Sequence, residues 1–278
     1  MRKCICKITF LAVAICLLCV LLCGSALTEE TEVLSYPEIP VYVDGMLLCR
    51  GYSINGENYV DLQTLGEVLG YEPVTVYDKE TDRVTVYVAG IDITVRGSEP
   101  YLTANGRCLY LPNGIYRING AALFPADIAA KIFGLGVAPG ADGGIDFDTA
   151  NEAILESGDT FYNADDLYWM SRIITQESGN QPVEGQIAVG NVVLNRVASS
   201  RFPGDIKSVI FQTGQFSPVQ YGTIYRDPYP ISVICAKLVF EGYKTVDDDV
   251  LFFQVGRYGY VADIAEYACT IAGHNFFK

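Results

Sequence analysis

The sequence predicts an α+β protein in which a small β-rich module precedes a mainly helical module. Two observations predict this order: short alternating strands with turn signals fill the first half, and apolar residues at helical spacing fill the second. At 278 residues the chain is long enough for two domains. Half of its residues are hydrophobic and 19% are charged, so each half can bury a core.

The N-terminal segment has the pattern of a secretory signal peptide. Basic residues precede an apolar run over residues 8–22, and small residues follow it at 24–26. We expect residues 1–26 to be a signal peptide cleaved after Ala26, with an uncleaved membrane anchor as the alternative. The protein is therefore expected to be secreted or associated with the cell envelope, with no membrane contact beyond this segment.

The rest of the chain is strongly acidic. Three of the 19 basic residues and none of the 33 acidic residues lie in residues 1–26, which leaves 16 basic residues and a net charge of −17. So acidic a surface argues against nucleic acid as a partner. The sequence leaves the oligomeric state open.

Ligands for metals are sparse after residue 26. Four cysteines remain there, none in a Cys-x-x-Cys pair, and His274 is the one histidine. We therefore expect no metal site and no cofactor. In an exported protein Cys49 could pair with Cys108 and Cys235 with Cys269, and buried free thiols are the equal alternative.

The β-rich half contains an internal repeat. Residues 54–70 and 118–134 each read as a hairpin strand, a helix and a closing glycine, and hairpin turn signals stand at 44–45 and 55–56. No cluster of titratable residues here suggests chemistry. The repeated Ile-Asn-Gly…Leu…Leu-Gly pattern resembles the copper amine oxidase N-terminal-like domain. The resemblance implies a spacer or wall-binding stalk, and the lack of histidine argues against copper.

A polar, acidic segment marks the predicted domain boundary. We place a stalk domain at residues 36–150, a linker at 151–164 and a second domain at 165–278. The stalk is expected to be dispensable for chemistry. In the second domain we expect helices at roughly residues 165–178, 182–198, 205–211 and 230–242, and a strand at 250–255.

One carboxylate continues an apolar stripe in the helical half. The stripe runs at helical spacing through residues 167–174, and Glu177 follows it on the same face. Gly179 and Asn180 predict a helix end in the left-handed conformation, and Pro182 predicts the first turn of a second helix. Glu177 is thus expected at the corner between two helices.

This position should raise the pKa of Glu177. An apolar setting disfavours the charged carboxylate, and the C-terminal end of a helix carries partial negative charge. A carboxyl that stays protonated near neutral pH is what a general acid needs. A glutamate that reaches solvent from the helix end is the alternative.

A predicted loop after the second helix suits a sugar ligand. Gln215, Phe216 and Ser217 place an amide, an aromatic ring and a hydroxyl side by side, so polar groups can bind sugar hydroxyls while the ring packs on the pyranose. A plain turn is the alternative. Glu184 suits the helix dipole in the first turn of the second helix, and His274 reads as a buried imidazole.

Several motifs in the second half carry a family resemblance. They are Glu177 with Pro182-Val183-Glu184-Gly185-Gln186, Val193-Leu194-Asn195-Arg196-Val197, Gly214-Gln215-Phe216-Ser217-Pro218 and Gly273-His274-Asn275-Phe276. In order and spacing they resemble the SleB-type cell-wall hydrolase (spore cortex-lytic enzyme) family over about residues 165–278. The resemblance implies a lysozyme-like fold, the glycan strand of peptidoglycan as partner and Glu177 as catalytic acid/base. We expect supporting roles for Glu184, Gln186 and His274.

The number of carboxylates bears on the reaction. Hydrolysis of a glycoside normally takes two, whereas a lytic transglycosylase can use one, because the C6 hydroxyl of the same muramic residue is its nucleophile. Glu177 is the one glutamate with a suitable setting, so a lytic transglycosylase that cleaves the MurNAc-GlcNAc backbone is favoured. A muramidase-type hydrolase that uses water and a non-catalytic peptidoglycan-binding protein are the alternatives.

Overall fold

The computed structural model describes residues 36–278, and the predicted signal peptide lies outside the described residues. Residues 37–278 form one compact unit with a β-rich first half and a mainly helical second half, which confirms the α+β class. Within the described part of the chain, no helix has both the length and the apolar character needed to cross a membrane.

Fifteen strands form three sheets within residues 36–278. They are β1 (Glu38–Val43), β2 (Met46–Ile54), β3 (Glu57–Asp61), β4 (Val74–Asp78), β5 (Arg83–Val88), β6 (Ile91–Arg96), β7 (Tyr101–Ala104), β8 (Arg107–Tyr110), β9 (Tyr116–Ile118), β10 (Ala121–Pro125), β11 (Gly136–Pro139), β12 (Ile145–Asp148), β13 (Phe252–Gln254), β14 (Tyr267–Ile271) and β15 (His274–Phe277). The strand orders are β11-β12-β1-β2-β3-β10-β9, β4-β5-β6-β7-β8 and β13-β15-β14.

The helices of the described residues fall mainly in the second half. They are α1 (Leu62–Val68), α2 (Ala126–Phe133), α3 (Gly158–Phe161), α4 (Ala164–Ser178), α5 (Val183–Ala198), α6 (Ile206–Phe211), α7 (Ser217–Gln220), α8 (Pro230–Phe240) and α9 (Tyr260–Ile264). Short 3₁₀ turns occur at Ala141–Gly143 and Thr223–Tyr225. The four predicted helices correspond to α4, α5, α6 and α8.

The predicted hairpins and repeat are present in the first half. Asp44 and Asn55 have φ of 51° and 53°, each followed by a glycine with positive φ, as tight hairpin turns require. The two repeats are β3–α1 and β10–α2. They lie side by side, because β3 pairs antiparallel with β10 through Leu123 opposite Asp61.

A buried carboxylate ties the helical half to the β-rich half. The side chain of Glu241, just after α8, is fully buried. Arg107 on β8 donates two hydrogen bonds to it, at 2.7 and 2.6 Å, and Lys131 on α2 lies 2.8 Å away. The hydroxyl of Tyr162 donates a further bond at 2.7 Å. These contacts compensate the hydration that a carboxylate loses on burial.

The β-rich half also contributes to the hydrophobic core of the helical half. Cys108 on β8 lies inside that core, and Tyr101 and Tyr110 pack against it. The hydroxyl of Tyr110 donates to Glu184 on α5 at 3.0 Å. The two halves therefore share a packed, hydrogen-bonded face, which is more than a spacer needs. The domain boundaries at 150 and 165 remain predictions.

The predicted linker is partly ordered against the β-rich half. It contains α3, and the backbone N–H of Gly158 donates to the carbonyl of Asn105 at 2.8 Å. The amide of Asn105 donates in turn to the carbonyl of Leu155 at 2.6 Å. All four cysteines of the described residues are free thiols, with Cys108 and Cys235 buried.

Candidate active site

The helix α4 carries Glu177 in its last turn. Asn163 caps the start of this helix, where its side-chain oxygen accepts hydrogen bonds from the N–H groups of residues 165 and 166 at 3.0 Å each. Met170, Ile173 and Ile174 are fully buried, so the predicted apolar stripe is the core face of α4. The last turn of the same face brings Glu177, which is partly buried, to the edge of this core.

The predicted left-handed end of α4 is wrong. Gly179 is right-handed helical, with φ −60° and ψ −16°, and its N–H still donates to the carbonyl of Thr175 at 3.0 Å. Glycine is required here by a close approach instead. A Cβ on residue 179 would lie 2.9 Å from the ring of Tyr229, closer than packed carbon atoms come.

The side-chain amide of Gln186 links the corner between α4 and α5 to α8. Its amide nitrogen donates to the carbonyl of Gln181 at 2.9 Å, and its amide oxygen accepts from the hydroxyl of Ser232 at 2.7 Å. Gln186 and Ser232 are both almost fully buried. Because the buried amide is satisfied on both sides, it fixes the corner relative to α8.

Glu177 faces a cavity of about 610 Å³. The loop residues Gln215, Phe216 and Ser217 line the same cavity, so the predicted acid and the predicted sugar-binding residues lie together. Phe216 is buried, whereas Gln215 and Ser217 are exposed. Of the described residues that line this cavity, Glu177 is the one carboxylate. A volume of this size admits a ligand as large as a disaccharide.

The pKa of Glu177 is raised to about 7. Burial is the main cause, because it disfavours the charged carboxylate, and the positive charge of Arg196 acts in the opposite direction. At neutral pH a large fraction of this carboxyl is therefore protonated. It can act as an acid first and, once deprotonated, as a base.

Arg196 is a site residue that the sequence analysis named only within a family motif, with no role in the site. It is 4% exposed, it lines the Glu177 cavity, and its Nε donates to the carbonyl of Leu251 at 2.7 Å. The rings of Phe202 and Phe216 each lie 5.0 Å from its guanidinium carbon. Burial lowers the pKa of Arg196 to about 10, and Glu177 opposes this effect. Arg196 remains charged at neutral pH and faces Glu177 as its electrostatic counterpart.

A sequence signal for Arg196 existed in the composition of α5. Apolar residues and glycine make up most of this helix, which is typical of a buried helix. An arginine inside such a helix must find partners or a ligand, because an unpaired buried charge is costly. Two further cavity residues, Gln212 and Phe253, gave no comparable signal.

Two predicted supporting residues lie outside the cavity. Glu184 accepts a hydrogen bond from Tyr110 and faces the β-rich half, so it does not supply a second carboxylate to this cavity. His274 is 4% exposed and its ring lies 5.3 Å from that of Phe253. Burial lowers the pKa of His274, so the ring is neutral at neutral pH. Its ring contacts Phe253, which lines the cavity.

A second cavity, of about 380 Å³, opens at Glu177 as well. It is lined by Glu177, Asn180, Arg226, Asp227 and Tyr229, among other residues. Within residues 36–278 no group of three or more histidine, cysteine, aspartate or glutamate side chains is arranged to hold a metal ion.

Comparison with family models matches both halves of the chain. Residues 180–277 match the Cell Wall Hydrolase family model. Residues 49–143 match the model of the Copper amine oxidase N-terminal domain. The two resemblances predicted from the motifs are thereby confirmed. The Cell Wall Hydrolase match begins after Glu177, so the assignment of this glutamate rests on its geometry.

Curated relatives agree with the Cell Wall Hydrolase match. The chain is 40% identical over 67 residues to a spore cortex-lytic enzyme of Bacillus cereus, covering 24% of this chain and 26% of that protein. It is 34% identical over 93 residues to the spore cortex-lytic enzyme of Bacillus subtilis, covering 34% and 30%. The chain thus spans less than a third of the length of these relatives.

A solved structure is similar to part of the chain as well. It is the catalytic domain of the germination-specific lytic transglycosylase SleB from Bacillus anthracis. The likeness has 28% sequence identity and a TM-score of 0.40, and it covers 42% of this chain and 97% of that domain.

Proposed function

We propose that this protein is an exported enzyme that cleaves the MurNAc-GlcNAc backbone of peptidoglycan as a lytic transglycosylase, with Glu177 as the single acid/base. One observation carries the proposal: a carboxyl with a pKa of about 7 faces a ligand-sized cavity whose other described lining residues include no carboxylate. The Cell Wall Hydrolase match and the cortex-lytic relatives support peptidoglycan as the substrate.

The reaction needs one proton-carrying group. Glu177 donates its proton to the bridging oxygen as the bond from the muramic C1 to that oxygen breaks. The C6 hydroxyl of the same muramic residue then bonds to C1 and returns its proton to Glu177. The product carries a 1,6-anhydro ring and no water is consumed. Because the hydroxyl is tethered to the reacting ring, proximity replaces a second catalytic carboxylate.

Arg196 stabilises the deprotonated form of Glu177, which exists in the middle of this cycle. After Glu177 has given up its proton, the resulting carboxylate is partly buried, and Arg196 is the positive charge that faces it. The guanidinium is held by Leu251 and by the surrounding phenylalanine rings, so it needs no rearrangement when the negative charge appears.

We expect Arg196→Met to move the alkaline limb of the pH–rate profile upward. Arg196 lowers the pKa of Glu177, so without its charge the acid stays protonated to higher pH. Arg196→Lys keeps the charge and should move the limb less. Arg201→Met is the matched control. Arg201, like Arg196, lies close to the Phe252 ring, at 5.4 Å, but it lines a cavity that does not contain Glu177. An unchanged profile for Arg196→Met, measured as muropeptide release across pH, would refute the electrostatic link.

A muramidase-type hydrolase is the second candidate, and one observation favours it. Asp227 lines the smaller cavity beside Glu177 and is exposed, although Arg172 lies 3.2 Å from its carboxylate. A hydrolase of this kind would use Asp227 to position water. Asp227→Asn should then abolish cleavage, whereas a transglycosylase that relies on Glu177 alone should keep most of its activity.

The experiment that tests the proposed function is digestion of purified peptidoglycan sacculi by the full-length protein. Release of soluble muropeptides by the parent protein, and its loss in Glu177→Gln, supports the proposal. Binding to sacculi without release would instead identify a non-catalytic peptidoglycan-binding protein.

A further inference from the structure

The carboxyl of Glu177 is not gripped directly by its neighbours. Within residues 36–278 it accepts no hydrogen bond, and its surroundings act on it through burial and through the charge of Arg196. Its position therefore depends on the backbone at the end of α4 and on the corner of residues 179–182 that follows. A displacement of about 1 Å at a reacting group can cost an enzyme about 100-fold in rate, so the corner bears on the reaction.

A chain of three hydrogen bonds runs from α8 to the residue beside Glu177. The hydroxyl of Ser232 on α8 donates to Gln186 Oε1 at 2.7 Å. Gln186 Nε2 donates to the carbonyl of Gln181 in the corner at 2.9 Å, and the N–H of Gln181 donates to the carbonyl of Ser178 at 2.8 Å. Ser178, Gln186 and Ser232 are almost completely buried. Water therefore competes little for the bonds that these side chains make.

The corner is also joined to the sheet that carries one wall of the cavity. Gln181 Oε1 accepts a hydrogen bond from the N–H of Gly273, in the turn between β14 and β15, at 2.8 Å. Strand β15 pairs with β13 through Phe276 opposite Phe253, and Phe253 lines the larger cavity. The backbone that carries Glu177 is thus fixed relative to both α8 and this wall.

We propose that Gln186 is a positioning residue for Glu177: its buried amide, anchored by Ser232, holds the corner so that the carboxyl keeps its place at the edge of the core. This inference rests on the proposed function, since it takes Glu177 as the acid. Gln186 lines neither of the two cavities at Glu177, so it acts through the backbone of the corner. A residue that only held α5 in place would affect stability and leave the protonation of Glu177 unchanged.

Gln186→Met tests the proposal, because methionine keeps the length of the side chain and makes neither hydrogen bond. With the corner released, Glu177 gains contact with water, and its pKa should fall from about 7 towards its ordinary value of 4.5. The alkaline limb of the pH–rate profile should then move to lower pH, opposite to the shift expected for Arg196→Met. We also expect kcat on solubilised glycan to fall about tenfold, with KM within about twofold of the parent.

The matched control is Asn191→Leu. Asn191 is also a buried amide of α5 that is bonded on both sides: Nδ2 donates to the carbonyl of Tyr243, and Oδ1 accepts from the N–H of Thr245, each at 2.9 Å. These bonds tie α5 to the segment after α8, and Asn191 lines neither cavity. Its substitution should lower stability about as much as Gln186→Met but keep the kcat and the pH profile of the parent.

A second variant and a second readout keep the test decisive. Ser232→Ala removes one hydroxyl and leaves Gln186 bonded to the corner, so it should fold and lower the pKa of Glu177 by less than Gln186→Met does. NMR titration of the Glu177 carboxyl in the free protein measures this pKa without any substrate. An unchanged pKa in both variants, or an equal fall in Asn191→Leu, would overturn the positioning role. Absence of muropeptide release by the parent protein would overturn the proposed function instead.

Discussion

Glu177→Gln is expected to lower glycan cleavage by about 10²–10⁴-fold, the range found for removal of a general acid–base group. The amide has nearly the shape of the carboxyl but cannot donate the proton that the leaving oxygen needs. The cavity has no other carboxylate among its described lining residues to take over the role. Muropeptide release from sacculi measures the effect.

The same substitution should not destabilise the fold. The pKa of Glu177 in the folded protein, about 7, lies above its ordinary value of 4.5, so the folded state holds this proton more tightly than the unfolded state. Stability therefore falls as pH rises from about 4.5 to 7. The glutamine amide does not titrate, so the variant should lack this loss and unfold at an equal or higher denaturant concentration at pH 8.

The control for this substitution is Glu184→Gln. It makes the same chemical change in the first turn of α5, but Glu184 lines neither cavity. We expect its cleavage rate to stay within about threefold of the parent, a change of less than 1 kcal/mol in the barrier. Equal losses of cleavage activity in Glu184→Gln and Glu177→Gln would contradict the assignment of Glu177 as the catalytic acid.

Arg107→Met is expected to lower the free energy of unfolding by about 3 kcal/mol, because it leaves the buried carboxylate of Glu241 without its two-bond partner. Burial alone would raise the pKa of Glu241, but hydrogen bonds from Arg107, Lys131 and Tyr162 lower it overall. The paired carboxylate therefore stabilises the fold above its unfolded pKa. That stability is lost as pH falls through the lowered folded value.

The matched control is Arg96→Met, measured by denaturant unfolding at neutral pH. Arg96 is also an arginine of the β-rich half paired with a glutamate, but it is 3.7 Å from Glu99, and the two side chains are 47% and 31% exposed. Its loss should cost less than about 1 kcal/mol. Equal costs for Arg96→Met and Arg107→Met would show that the Glu241 contacts add nothing to stability.

The Glu241 contacts also change what is expected of a truncated protein. Residues 150–278 alone would lack Arg107 and Lys131, and they would expose the core surface that Cys108 and Tyr110 cover. The sequence predicts a dispensable stalk, whereas the structure indicates that the fragment would be destabilised. Experiments on activity are therefore best made with both halves present.

The features that sequence predicted well are those set by local chemistry. The turns at Asp44 and Asn55 follow from residues that tolerate positive φ, and the apolar stripe that ends in Glu177 follows from helical spacing. The strand–helix repeat is visible because each copy contains its own turn and closing glycine. These signals need no knowledge of distant parts of the chain.

The features that sequence missed depend on contacts between distant segments. Arg196 meets Glu177 only because α5 packs on α4, and Tyr229 reaches Gly179 from 50 positions away. The sequence predicts a left-handed cap at Gly179, because sequence alone cannot show that the ring of Tyr229 occupies the space beside it. Arg107 and Glu241 carry opposite charges, but nothing in the spacing between them indicates that they meet.

The measurement that tests the central claim most directly is mass spectrometry of the muropeptides that the parent protein releases in heavy-oxygen water. If Glu177 acts alone, the fragments should end in 1,6-anhydro-muramic acid, about 18 mass units lighter than hydrolytic products, because no water is consumed. They should also contain no heavy oxygen from the solvent. Reducing muramic ends that carry the heavy label would contradict the account and would favour a hydrolase in which Asp227 positions the water.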